Sequence, residues 1–157
     1  MKRLLVCLLL LGVVGCSSDP DKAIKEYNKG VSFADREDWS AAITHFNQAI
    51  RIDPDYAEAY YNRGLAHRDQ YDKAIADFTE AIRIDPGDVE AYYQRGYTYS
   101  LQFGQDDKAI ADYTEAIRID PGYVEAYYHR GVAHRESGND EKAAVDFAKV
   151  DELGCKP

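Results

Sequence analysis

Residues 57–88 read AEAYYNRGLAHRDQYDKAIADFTEAIRIDPGD, and residues 89–123 read VEAYYQRGYTYSLQFGQDDKAIADYTEAIRIDPGY. Both open on Glu-Ala-Tyr-Tyr, carry Arg-Gly shortly after, pass through Lys-Ala-Ile-Ala-Asp and close on Ile-Asp-Pro-Gly. In the first segment Tyr60, Arg63, Gly64 and His67 fall at i, i+3, i+4 and i+7, one face of a helix. Ala74, Phe78, Ala81 and Ile82 set the same spacing on a second helix. Small residues at Gly64 and Ala74 admit two antiparallel helices at close range, with Phe78 filling the space beside them. Asp85-Pro86-Gly87 then stops the second helix and turns the chain. One such hairpin cannot bury its apolar side alone, so the pattern predicts stacking.

Working outward, Asp-Pro turns stand at Asp53-Pro54, Asp85-Pro86 and Asp120-Pro121 and divide the chain into units 23–56, 57–88, 89–123 and 124–157. A glycine recurs as Gly30, Gly64, Gly96 and Gly131, and an Ala-x3-aromatic pair as Ala42/Phe46, Ala74/Phe78, Ala109/Tyr113 and Ala143/Phe147. A period near 34 with these slots resembles the tetratricopeptide repeat (TPR) family. The Trp slot of that family holds Glu26, Tyr60, Tyr92 and Tyr127, and its Tyr slot holds Phe33, His67, Tyr99 and His134. The resemblance implies an all-α, right-handed α-solenoid of four helix-turn-helix repeats, the fourth a cap. It also implies a concave groove that takes an extended peptide or a partner helix.

Three departures from the family pattern carry expectations of their own. Arg63, Arg95 and Arg130 replace the leucine before the repeat glycine, while Asp77, Asp112 and Asp146 precede the second-helix aromatic. The first unit changes both together, to Lys29 and His45, which predicts an Arg–Asp pair across each later hairpin. The second unit lacks two residues at Gln70-Tyr71, so its first helix should end a turn early. In the fourth unit Ala144 and Asp151 stand where the others carry isoleucines, which gives the last helix the polar outer face of a cap.

The first helices leave over a second stripe: Tyr27/Val31/Ala34, Tyr61/Leu65/Arg68, Tyr93/Tyr97/Ser100 and Tyr128/Val132/Arg135. Tyrosines in register offer rigid amphipathic area of the kind used in binding. The candidate groove residues are Tyr27, Tyr61, Leu65, Arg68, Tyr93, Tyr97, Tyr128 and Arg135; the alternative is that the stripe packs against the neighbouring first helix. Glu58, Glu90 and Glu125 rim the same face and favour a partner of basic character. Tyr60, Tyr92 and Tyr127, one residue earlier, are expected in the core.

The chain has 157 residues, 19 basic against 28 acidic, for a net charge of −9. That balance argues against nucleic-acid binding, which draws on clustered Lys and Arg. His67 and His134 share one slot two units apart and cannot share a metal; neither the histidines nor the cysteines have zinc or haem spacing. No phosphate-binding or nucleophile-elbow motif is present. The expectation is no enzyme and no cofactor; a compact acid/base site around His129 would be needed to revive catalysis.

At the amino terminus Met1-Lys2-Arg3 precedes an apolar run over residues 4–15, too short to span a bilayer comfortably. Val13-Val14-Gly15-Cys16 resembles the processing box of a bacterial lipoprotein. This implies a signal peptide at 1–15, a lipidated Cys16 with a short tether to residue 22, and a mature chain of net charge −11. Ser17 after the anchor points to an outer-membrane address facing the periplasm. Cys155 then has no intrachain partner. The resulting expectation is a lipid-anchored scaffold or adaptor for a protein partner at the bacterial envelope, with a self-assembling homo-oligomeric subunit as the rival.

Overall fold

A computed structural model describes residues 19–102 and 104–154. The signal segment, Cys16 and Cys155 lie outside them. Among the described residues there are eight helices and no strands. They form four antiparallel pairs: α1 (Pro20–Ala34) with α2 (Trp39–Ile52), α3 (Ala57–Ala66) with α4 (Tyr71–Ile84), α5 (Val89–Ser100) with α6 (Asp106–Ile119), and α7 (Val124–Glu136) with α8 (Asp140–Gly154). Each pair also packs on the next through its second helix, which gives the α-solenoid the repeats imply.

The boundaries follow from local chemistry. Asp53, Asp85 and Asp120 end their helices in extended backbone, because a following proline disfavours the helical region. The side chains of Asp85 and Asp120 then accept from the backbone N–H of Gly87 and Gly122 at 2.9 and 2.8 Å, closing the turn. Asp38 and Asp88 cap α2 and α5 by accepting from Ala41 and Ala91.

The core of each hairpin is the aromatic of the second helix lying against the repeat glycine. Phe46, Phe78 and Tyr113 are fully buried, and a Cβ placed at Gly30 or Gly64 would lie 2.5 or 2.7 Å from the Phe46 or Phe78 ring. Glycine is required there by close approach of the helices.

All three expected Arg–Asp pairs form. Arg63, Arg95 and Arg130 each donate Nε and Nη2 to the two carboxylate oxygens of Asp77, Asp112 and Asp146, at 2.5–2.9 Å. Their Nη1 atoms reach back to the preceding unit and donate to Asn47, Thr79 and Thr114. Each guanidinium therefore ties its own hairpin and joins two units. In the first unit Glu26 takes over, accepting from Lys29 at 2.7 Å and lying 2.8 Å from His45 Nδ1.

The shortened second unit ends α3 after ten residues, against twelve in α5 and thirteen in α7. Its turn passes through Arg68 at φ 41°, a left-handed conformation that the corresponding turns of the third and fourth units assign to Gly104 and Gly138. Ala144 and Asp151 are exposed, as a polar outer face requires.

Candidate functional site

The first helices form one face of the solenoid: α1 touches α3, and α5 touches α7. Each stripe tyrosine leans on the core ring of its own hairpin, with centroids 5.8–6.0 Å apart for Tyr27–Phe46, Tyr61–Phe78, Tyr93–Tyr113 and Tyr128–Phe147. In the first three units the next repeat also reaches the ring. Asn62 donates to the Tyr27 hydroxyl at 3.0 Å, Gln94 lies close enough to act on the Tyr61 hydroxyl, and the His129 ring lies 5.7 Å from that of Tyr93. Tyr27, Tyr61 and Tyr93 are accordingly half-buried, and burial pushes the Tyr61 hydroxyl up to about 12.

The expected contrast between adjacent tyrosines is corrected by this geometry. Tyr60 and Tyr92 pack against the buried cluster of Ala81, Ile82 and Ala91 without being fully buried themselves, and with Tyr127 they lie beneath the guanidinium three residues on, at 5.3, 5.8 and 5.6 Å from Arg63, Arg95 and Arg130. With arginine in the leucine slot, the ring beside it is drawn to the cation as a shelf. Tyr61 and Tyr93 border the cores as well, so in these two adjacent pairs both tyrosines contact them.

The exposed apolar and aromatic part of the stripe is Leu65 and Tyr97, each 38% accessible, and Tyr128, 50% accessible. Leu101 joins them at 48%, a residue the sequence pattern did not single out. Like Asp35, Asp69 and Glu136, all exposed in the other units, it occupies the slot at the end of its first helix. A cleft of about 270 Å³ opens there, lined by Leu65, Tyr71, Phe78, Tyr97 and Leu101 among others. Arg68 also lines it, but from the turn and not from a helical stripe as expected, because α3 has already ended at Ala66. Its guanidinium lies 5.0 Å over the Trp39 ring of the preceding unit. Arg135 is exposed on α7, with its guanidinium 5.6 Å over Phe147.

The rim is acidic. Glu58, Glu90 and Glu125 are exposed at the starts of α3, α5 and α7. Beyond the effect of burial, Glu58 raises Tyr27, Asp88 and then Glu90 raise Tyr61, and Glu125 raises Tyr93. The carboxylate of each unit thus faces the stripe tyrosine of the unit before. His129, set among tyrosines, is held below the ordinary histidine value by burial, against a smaller opposing pull from Glu125. Among the described residues no group of three or more His, Cys, Asp or Glu is placed to hold a metal ion, and no helix is long and apolar enough to cross a membrane.

Residues 30–70, 67–102 and 101–138 match the profile of the TPR repeat, and 124–153 match that of the tetratricopeptide repeat. The chain belongs to the tetratricopeptide repeat family. A crystal structure of MamA superposes with a TM-score of 0.82 at 31% identity, covering 87% of this chain and 80% of that one. The first TPR of Spaghetti (RPAP3), bound to the HSP90 peptide SRMEEVD, shares the fold at a TM-score of 0.72 and 22% identity, covering 76% of this chain and 96% of that one. A stretch of 45 residues, 29% of this chain, is 40% identical to an uncharacterized protein of Methanocaldococcus jannaschii and spans 52% of it, about half that relative's length.

Proposed function

We propose that this protein is a non-catalytic scaffold that holds a protein partner, as an extended and basic segment, along the first-helix face. The observation that carries the reading is the run of exposed Leu65, Tyr97, Leu101 and Tyr128 beside a row of carboxylates. Large apolar and aromatic side chains left accessible on one face, with a polar rim, are the anatomy of a binding surface. The HSP90 peptide on the RPAP3 repeat supplies a precedent in this fold for a bound peptide. An acidic peptide like that one would meet Glu58, Glu90 and Glu125 here, so the rim selects the opposite charge. Photo-crosslinking amino acids placed at Tyr97, Leu65 and Tyr128 in the native host test this. They should trap the same partner, which exposed Glu141 on α8 should not; equal yield from Glu141 would remove the reading.

The scaffold is further proposed to be tethered at the bacterial envelope by acylated Cys16, with the outer membrane facing the periplasm as its address. The support is the sequence over residues 1–17: a positive start, a short apolar run and a cysteine after glycine. Cys16→Ser removes the nucleophile, so the chain should accumulate as an unprocessed precursor. Normal mature protein in the outer-membrane fraction of that variant would contradict the tether.

A further inference from the structure

Four rings converge on His129. Tyr97 and Tyr128 stand nearly perpendicular to it at 5.5 and 5.3 Å, Tyr93 lies at 5.7 Å, and Tyr113 is roughly parallel at 6.0 Å. These side chains come from α5, α6 and α7, so the cluster joins the third and fourth units. Tyr97 and Tyr128 are the two most open tyrosines of the stripe. His129 is half-buried and makes no side-chain hydrogen bond among the described residues, and neither of its ring nitrogens is a buried unpaired atom as His67 Nδ1 is. Such an imidazole presents an acceptor to an incoming N–H donor.

The charge at the site has one sign. Glu125 is the charged group acting on His129, it acts also on Tyr93, and Glu90 and Glu125 act together on neighbouring Tyr123. Arg68 is occupied over Trp39, and Arg135 over Phe147. Aromatic faces, a neutral acceptor and an adjacent carboxylate are together complementary to a planar cation with several N–H donors.

We infer that Tyr97, Tyr128 and His129, with Glu125, form an anchor site for an arginine side chain of the bound partner. The inference rests on the proposed peptide-binding role of this face and gives that role its specificity. The guanidinium lies against the tyrosine rings, donates to the free imidazole nitrogen and is balanced by Glu125. Lysine fits less well, since its compact ammonium cannot stack. Acid weakens the site: Tyr93 and Tyr97 from α5, Tyr113 from α6, and Tyr128 and Glu125 from α7 itself face the imidazole, and its protonation puts a like charge where the ligand cation sits while removing the acceptor.

The probe is N-acetyl-arginine methylamide, with the neutral citrulline compound as control, followed by NMR on the ring signals of the full chain. At pH 7.5 the arginine compound should shift Tyr97, Tyr128 and His129 saturably, at least tenfold more tightly than citrulline. Tyr128→Leu should abolish the shifts at His129, Tyr128→Phe should keep them, and Glu125→Gln should weaken binding about threefold. At pH 5 the arginine compound should bind several-fold more weakly. Equal binding of citrulline, shifts confined to other parts of the chain, or an unchanged affinity in Tyr128→Leu would overturn the proposal. Failure of the scaffold role reads differently: the crosslinkers at Leu65 and Tyr97 would then trap no partner while arginine still shifted His129.

Discussion

Tyr113 fills the slot that Phe46, Phe78 and Phe147 fill in the other units, and its hydroxyl is buried without a hydrogen-bond partner. Ser100 is close enough to act on it but makes no hydrogen bond to it, and donates its own O–H to the carbonyl of Tyr97 at 2.8 Å. An unpaired buried hydroxyl costs about 1–3 kcal/mol. Tyr113→Phe should therefore leave stability unchanged or raise it by about 1 kcal/mol in urea unfolding; a clear loss would show that the hydroxyl is bonded. The histidines predict a pH dependence of known sign. Burial holds His67, His129 and His134 below 6.5, and for His67 it outweighs the pull of Asp77 at 3.5 Å. Below 6.5 the unfolded chain binds protons that the folded chain does not, so stability is complete above that pH and declines as acid is added through the folded values. The melting temperature should fall between pH 7.5 and 5.5, and His134→Gln should flatten part of the fall. A flat profile in the native chain would contradict the assignment.

At the scale of the helical pair, Arg95 has three simultaneous partners: Asp112 in its own hairpin, Thr79 in the preceding unit, and the Tyr92 ring beneath it. Arg95 and Asp112 are largely buried, so removing either alone leaves a buried charge and should cost about 3–5 kcal/mol. A double-mutant cycle of Arg95→Ala and Asp112→Ala should give coupling of about 0.5–3 kcal/mol; additive losses would mean the bidentate contact contributes nothing. Much of this element was legible beforehand. The hairpin could be read from glycine, aromatic and Asp-Pro spacing, and the Arg–Asp contact from the joint change to Lys29 and His45. The reach back to Asn47, Thr79 and Thr114 was present as a slot of oxygen-bearing side chains, but slots one unit apart disclose contact only once the stacking angle is known. The roles of Tyr60 and Tyr61 were not legible. Adjacent tyrosines about 100° apart around a helix both border apolar surface; Tyr60 and Tyr61 both pack against the cluster of Ala81, Ile82 and Ala91, and what separates them is the Arg63 guanidinium over the Tyr60 ring.

For the whole molecule, the two residues missing from the second unit reshape the candidate surface locally. α3 ends early and Arg68 moves into the turn, where it lines a cleft together with Tyr97 and Leu101. A stripe read helix by helix could identify Leu65, Tyr97 and Tyr128 but not Leu101, which lies just past α5 in an exposed slot that the other units fill with Asp35, Asp69 and Glu136. The resulting face is apolar in patches, acidic at its rim and built on side chains that the core does not need. That separation gives the most direct test of the scaffold role: partner retention by the full chain carrying Leu65→Ala, Tyr97→Ala and Tyr128→Ala together, read alongside its melting curve. Surface truncations of this kind cost about 0.5 kcal/mol or less each in stability, whereas loss of binding anchors costs at least about 1–2 kcal/mol in affinity. The expected result is retention reduced tenfold or more with the fold intact; full retention at an unchanged melting temperature would contradict the claim that this face holds the partner.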